Sequence, residues 1–128
     1  MQSNEFMKRA LIIDDEPDIT EIITIFAKQL GYLSDVSHSG DDAIAKLLNN
    51  PYWAIFCDFK MPGYNGIEMF HKIRELNPSL SKRFVLVTGA ILDRKTNEFV
   101  EKKDIVVLKK PFTFSALKEV FLMLEEIK

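Results

Sequence analysis

Cysteine is almost missing from this sequence: Cys57 is the only one in 128 residues, so no internal disulfide can form, as suits a chain kept in a reducing cytoplasm. Its place at the end of the apolar run Trp53-Ala54-Ile55-Phe56-Cys57 marks it as a small buried hydrophobe, not a reactive thiol. A basic excess is missing too. Lys and Arg number 17 against 19 for Asp and Glu, giving a formal charge of −2, and the pairs Lys102-Lys103 and Lys109-Lys110 make no stripe, so direct nucleic-acid binding is not expected. No apolar stretch is long enough to cross a bilayer, and Met1 to Glu5 has neither the basic nor the apolar part of a signal peptide, so membrane insertion is not expected either. Internal repeats, low-complexity segments and linkers are also absent.

What is present suits one folded unit. Hydrophobic residues make up 47% and charged residues 28%, which excludes disordered and fibrous chains. Residues 1–128 are expected to form a single domain, with its core over about 8–127 and no room for a DNA-binding or enzymatic output domain.

Short apolar runs alternate with segments of helical period, the pattern of βα units around a parallel sheet. The runs are Ala10-Leu11-Ile12-Ile13, Leu33 to Ser37, Trp53 to Cys57, Phe84-Val85-Leu86-Val87 and Ile105-Val106-Val107-Leu108. Their continuous hydrophobicity implies strands covered on both faces. Five helices are expected between and after them. The first carries Ile19, Ile22, Ile23, Phe26 and Leu30 between Pro17 and Gly31, and the second opens at Ser39-Gly40-Asp41-Asp42, carries Ala43, Ile44, Leu47 and Leu48, and ends by Pro51. A third, capped by Asn65 and Glu68, carries Ile67, Phe70, Ile73 and Leu76, with Pro78 after its end. The fourth, between Asp93 and Lys103, has little beyond Phe99 and Val100 to bury. The last shows a broad stripe, Phe114, Leu117, Val120, Phe121, Leu124 and Ile127, with Thr113 or Ser115 as cap. Right-handed crossovers make a doubly wound α/β sheet of order 2-1-3-4-5 the expected fold.

In such sheets the binding crevice lies beyond the carboxyl ends of the strands. Asp14 and Asp15 follow the first run, Asp58 the third, Thr88 the fourth and Lys110 the fifth, so these five side chains are expected to gather there. Three neighbouring carboxylates repel one another and must either hold a proton or recruit a cation. Mg²⁺ fits an all-oxygen site, with Asp15 and Asp58 as direct ligands and Asp14 acting directly or through water. A free Asp58 oxygen can attack a phosphoryl group, with the metal, Lys110 and Thr88 each available to one phosphoryl oxygen. An Asp-Asp-Glu-Pro or Lys-Lys-Pro sequence alone would be a turn or a solvated strand end. Their joint occurrence at successive strand ends is what points to chemistry.

Taken together, Ile12-Ile13-Asp14-Asp15-Glu16-Pro17, Asp58-Phe59-Lys60-Met61-Pro62-Gly63 with Gly66, Val87-Thr88-Gly89 and Lys110-Pro111-Phe112 resemble the receiver domain of two-component response regulators over nearly the whole chain. The resemblance implies a flavodoxin-like (βα)5 fold and phosphoryl transfer from a histidine kinase or histidine phosphotransfer protein to Asp58, followed by a change in a surface read by an effector protein. It further implies that the Lys60 main-chain carbonyl joins Asp14, Asp15 and Asp58 at Mg²⁺, that Thr88 is the switch hydroxyl, and that the Lys110-Pro111 bond is cis. Such a chain assists its own phosphorylation and dephosphorylation without being an enzyme.

Two positions depart from the family pattern. Val107 stands where many members carry Tyr or Phe, so the ring that rotates inward in those members has no counterpart, and Gly89 replaces the commoner alanine. Lys60 and Ala90, two residues beyond Asp58 and Thr88, offer no acidic or amide group to orient water, which implies a long-lived phosphoryl group. The competing readings are a pseudo-receiver that binds partners without phosphorylation and a Mg²⁺-dependent aspartyl-phosphate phosphatase. The latter wants an acid where Lys60 stands. His38 and His71 fall in a predicted loop and on the third helix, away from the strand ends, and are expected at the surface. Met69, Met123, Phe99, Phe112, Phe114 and Phe121 are expected chiefly to fill the core.

Overall fold

Strand residues that are apolar at every position need cover on both faces, and the topology supplies it. The computed structural model describes residues 7–127. Five strands, β1 (Arg9–Ile13), β2 (Leu33–Ser37), β3 (Ala54–Asp58), β4 (Phe84–Thr88) and β5 (Val106–Lys109), form one parallel sheet in the order β2-β1-β3-β4-β5. The expected doubly wound, flavodoxin-like fold is the observed one.

Alternation along the strands divides the core in two. Leu11, Ile13, Ile55, Cys57, Phe84 and Leu86 point to one face, where they pack with Ala43 of α2 (Gly40–Asn49), Met69, Phe70 and Ile73 of α3 (Gly66–Leu76) and Val100 of α5 (Arg94–Lys102). Ala10, Ile12, Ala54, Phe56, Val85 and Val87 point to the other, against Ile23 and Ala27 of α1 (Pro17–Gln29) and Leu117, Val120, Phe121 and Leu124 of α6 (Phe114–Glu125). Phe56 sits completely buried on the second face, tilted against Phe121 with ring centroids 5.2 Å apart.

The helix ends follow local chemistry. Ser39 caps α2 by accepting the Asp42 N–H, Thr113 caps α6 by accepting that of Ala116, and Asn65 with Glu68 makes the full reciprocal capping box of α3. Asp93 caps α5 at the Thr96 N–H. Five helices were expected and the described residues hold a sixth, the one-turn α4 (Pro78–Ser81), because Asn77 accepts the Leu80 N–H and Pro78 occupies a first-turn position where its missing N–H costs nothing. Pro78 therefore opens a helix as well as following one. Small corrections concern burial and bounds. Ile22, Leu48 and Leu76, counted in the helical stripes, are exposed at the stripe edges, Trp53 precedes its strand, and β5 runs one residue later than its apolar run. Met123 of α6, expected in the core, is also exposed, whereas His71 is half-buried against Phe99.

Candidate functional site

Register brings the acids together. Ile13 of β1 lies opposite Cys57 of β3, so Asp14, the next residue, comes beside Asp58, the last residue of β3. Both are buried, at 1% and 6% exposure, while Asp15 and Glu16 in the loop leading to α1 are exposed. One carboxylate oxygen from each of Asp14, Asp15, Glu16 and Asp58 lies within 4.8 Å of the others. On the far side Thr88 of β4 pairs with Lys109 of β5, and the Lys110 N–H donates to the Thr88 carbonyl at 2.8 Å, with the Lys110 side chain lying over the acids. The Lys110-Pro111 bond is cis, as the resemblance implied.

The Lys110 ammonium reaches three of the carboxylates: Nζ is 3.0 Å from Asp14 Oδ2, 3.2 Å from Asp58 Oδ1 and 3.0 Å from Glu16 Oε1. The contact to Glu16 has hydrogen-bond geometry. Asp14 Oδ1 accepts the Glu16 N–H at 2.9 Å, whereas Asp14 Oδ2 is buried and accepts no hydrogen bond. Burial, followed by the charge of Asp14, pushes the Asp58 carboxyl up to about 6 against the pull of Lys110. Asp14 is raised as well, by its burial, against the Glu16 N–H and Lys110. Burial would lower the Lys110 ammonium, but Glu16, Asp14 and Asp58 together hold it above its ordinary value.

This electrostatic pattern suits a divalent cation. Four carboxylates face one ammonium, two of them resist ionisation, and the buried Asp14 Oδ2 has no partner but that ammonium, so a hard cation with oxygen ligands suits the set. Asp58, Lys60, Thr88, Ala90, Lys110 and Glu16 line one open cleft of about 320 Å³, large enough for a phosphoryl group. Thr88 lies in its wall, buried, with its hydroxyl accepting the Ala90 N–H at 3.0 Å; that hydroxyl is engaged with its own loop and not with Lys110. Thr88 also lines a larger hollow of about 690 Å³, walled by Leu92, Val100, Val107 and Val120 and rimmed by the fully exposed Ile91.

The five expected side chains thus flank one cleft, and two more residues belong beside them. Glu16 was passed over as part of a turn motif, although a glutamate directly before Pro17, where a shorter capping residue is usual, is a signal that the side chain has another partner. His38 was placed away from the strand ends. It follows β2 directly, and its Nδ1 lies 2.9 Å from the Asp14 carbonyl oxygen, which makes Nδ1 the protonated nitrogen since a carbonyl only accepts. Cys57 is buried beside the acids and its thiol is raised by burial and by Asp58 and Asp14, as an inert thiol should be.

A parallel, doubly wound sheet with an acidic cleft, a lysine and a threonine at its switch point defines an α/β domain of the kind that binds its ligand at the carboxyl ends of the strands. Residues 10–122 match the response regulator receiver domain, and the chain belongs to that family of two-component signalling domains, which are not classical enzymes. Among curated proteins it is similar to the transcriptional regulatory protein ResD of Bacillus subtilis, 39% identical over 74 residues, covering 58% of this chain and 30% of that protein. It is also similar to the response regulator receiver protein CpdR of Brucella abortus, 27% identical over 106 residues, 83% of this chain and 87% of that protein. The chain spans less than half the length of ResD and of TrcR from Mycobacterium tuberculosis, at 30% and 42%. The response regulator TrrA of Thermotoga maritima, solved in complex with Mg²⁺-BeF, superposes with a TM-score of 0.79 at 29% identity, covering 92% of this chain and 99% of that one. A CheY-like receiver domain from Methanospirillum hungatei shares the fold with a TM-score of 0.82 at 24% identity, covering 94% and 95%. No helix among the described residues is long and apolar enough to cross a membrane.

Proposed function

We propose that this chain is a phosphoryl-accepting receiver in a two-component phosphorelay, with Asp58 as the acceptor, and that residues 1–128 form one such domain working in the cytoplasm. The observation that carries the reading is a buried Asp58 carboxylate, 3.2 Å from the Lys110 ammonium and at the floor of an open cleft beside Asp14. An Asp58 oxygen attacks phosphorus, the bond from phosphorus to the donor histidine nitrogen of a histidine kinase or histidine phosphotransfer protein breaks, and the imidazole leaves with the bonding pair. Asp14, Asp15, Asp58 and the Lys60 main-chain carbonyl would hold Mg²⁺, which when bound supplies the positive charge that lets acid and phosphoryl group approach. Lys110 neutralises one phosphoryl oxygen. Thr88 donates its hydroxyl proton to another, which takes that proton from the Ala90 carbonyl, 3.5 Å away, and so shifts the loop that borders the apolar hollow. An effector protein would read that change.

The test is to incubate purified protein with Mg²⁺ and acetyl phosphate and to follow intact mass. One phosphoryl group mapped to Asp58, and none on Asp58→Asn, is the expected result. Label that persists in Asp58→Asn moves the acceptor elsewhere, and absence of both label and beryllofluoride binding leaves a pseudo-receiver. With Lys60 and Ala90 unable to orient water, the label should decay slowly after the donor is removed; rapid loss would show that this cleft activates water in another way.

A further inference from the structure

We propose, on the strength of that reading, that Glu16 is a positioning residue for Lys110. Three carboxylates compete for one ammonium. A lysine beside two buried acids should pair with them directly, because the same contact is stronger where water is excluded. It does so, at 3.0 Å from Asp14 Oδ2 and 3.2 Å from Asp58 Oδ1, yet it also donates a hydrogen bond to the most exposed of the three, Glu16 Oε1, at 3.0 Å. Glu16 also gives up a local role to make this contact. It occupies the N-cap of α1 without a side-chain capping bond, at a position where Ser, Thr, Asp or Asn would satisfy a helix N–H. A local rule broken at a functional cleft is where a specific partner is expected.

The consequence concerns where the ammonium waits. Nζ lies 3.0 Å from Asp14 Oδ2 and 3.2 Å from Asp58 Oδ1, oxygens that a cation and the phosphorus atom must take from it. Glu16 is the contact that then remains, and it keeps the ammonium on the α1 side of the cleft, within reach of a phosphoryl oxygen on Asp58.

The test is a double-mutant cycle on labelling by acetyl phosphate at saturating Mg²⁺, so that the effect of Glu16 charge on metal affinity drops out. Glu16→Gln should slow labelling about threefold to tenfold in the chain with Lys110, and by less than about twofold in a Lys110→Met background. Glu16→Asp keeps the charge and improves the cap but is one methylene short, so it should be slow as well while folding normally. In Mg²⁺-free protein the Lys110 15Nζ resonance should shift on Glu16→Gln. Equal slowing in both backgrounds, faster labelling, normal labelling by Glu16→Asp, or an unmoved resonance would each overturn the proposal. If the unaltered chain takes no label on Asp58, the receiver reading fails instead, and the resonance still tests the contact.

Discussion

At the scale of single residues, Asp58 works against the stability of its own fold. Its carboxyl is raised to about 6 in the folded chain, chiefly by burial, from an ordinary value near 3.8. Between those values the folded state holds a proton that the unfolded chain releases, so stability falls as pH rises from about 4 to about 6 and then levels off. Without metal, Asp58→Asn should therefore be more stable than the unaltered chain at pH 7, on the order of 2 kcal/mol, and lose that advantage near pH 4. Urea titrations at both pH values measure this, and an equal difference at both would show that the charge of Asp58 is not the cause. Added Mg²⁺ should close the gap at pH 7 from the side of the unaltered chain alone. Of the cleft residues, Asp14, Asp15, Asp58, Thr88 and Lys110 were legible because each ends an apolar strand or follows one within two residues. Glu16 and His38 were not, since their contacts cross between loops that only the folded register brings together.

Elements hold these residues through their ends, and two glycines show how differently a loop can be constrained. Gly66 opens α3 directly behind Asp58, and its N–H donates to the Phe59 carbonyl at 2.8 Å. A methyl group there would meet Leu86 Cδ1 at 2.4 Å, Phe59 Cα at 3.0 Å and the Asp58 carbonyl oxygen at 3.1 Å, with two of these three contacts on backbone. Gly66→Ala should cost about 1–3 kcal/mol and slow labelling by displacing the turn after Asp58, both readable from a denaturation midpoint and a labelling time course. Gly89 differs. A methyl group there would only touch the Lys110 side chain, at 3.5 Å from its Cβ, and the residue has no positive φ. Gly89→Ala should be tolerated, with stability unchanged or raised by about 0.4–1 kcal/mol through a less flexible unfolded chain. Caps were legible because they are local: Asn65, Glu68 and Ser39 each act on an amide three residues away. The α4 turn and the exposure of Ile22 and Leu48 were not, because how much of a helix is covered depends on the tilt of its neighbours.

For the molecule as a whole, the sheet joins two sites that share a wall. Thr88 is buried between the acidic cleft and the hollow walled by Leu92, Val100, Val107 and Val120. Its hydroxyl has a single proton, directed at the Ala90 carbonyl 3.5 Å away, so it can donate into the cleft only by giving up that contact, and occupancy of the cleft and the conformation of residues 89–92 are linked through it. Val107 leaves the hollow without an aromatic ring, and Ile91 at its rim is fully exposed, so that loop has both room and an apolar reason to move inward. α5 resists little, since Val100 is its only buried residue. Binding of beryllofluoride with Mg²⁺ should therefore change amide hydrogen exchange in residues 89–92 and in α5, while β2 and α2, on the far edge of the sheet, keep their rates. A ligand shifts such an equilibrium only by its differential affinity for the two states, so the change must be reciprocal: Thr88→Ala should weaken beryllofluoride binding and abolish the exchange response together. If Thr88→Ala weakened binding yet left the response of α5 intact, the link would have to run through Lys110 and β5 and not through the threonine.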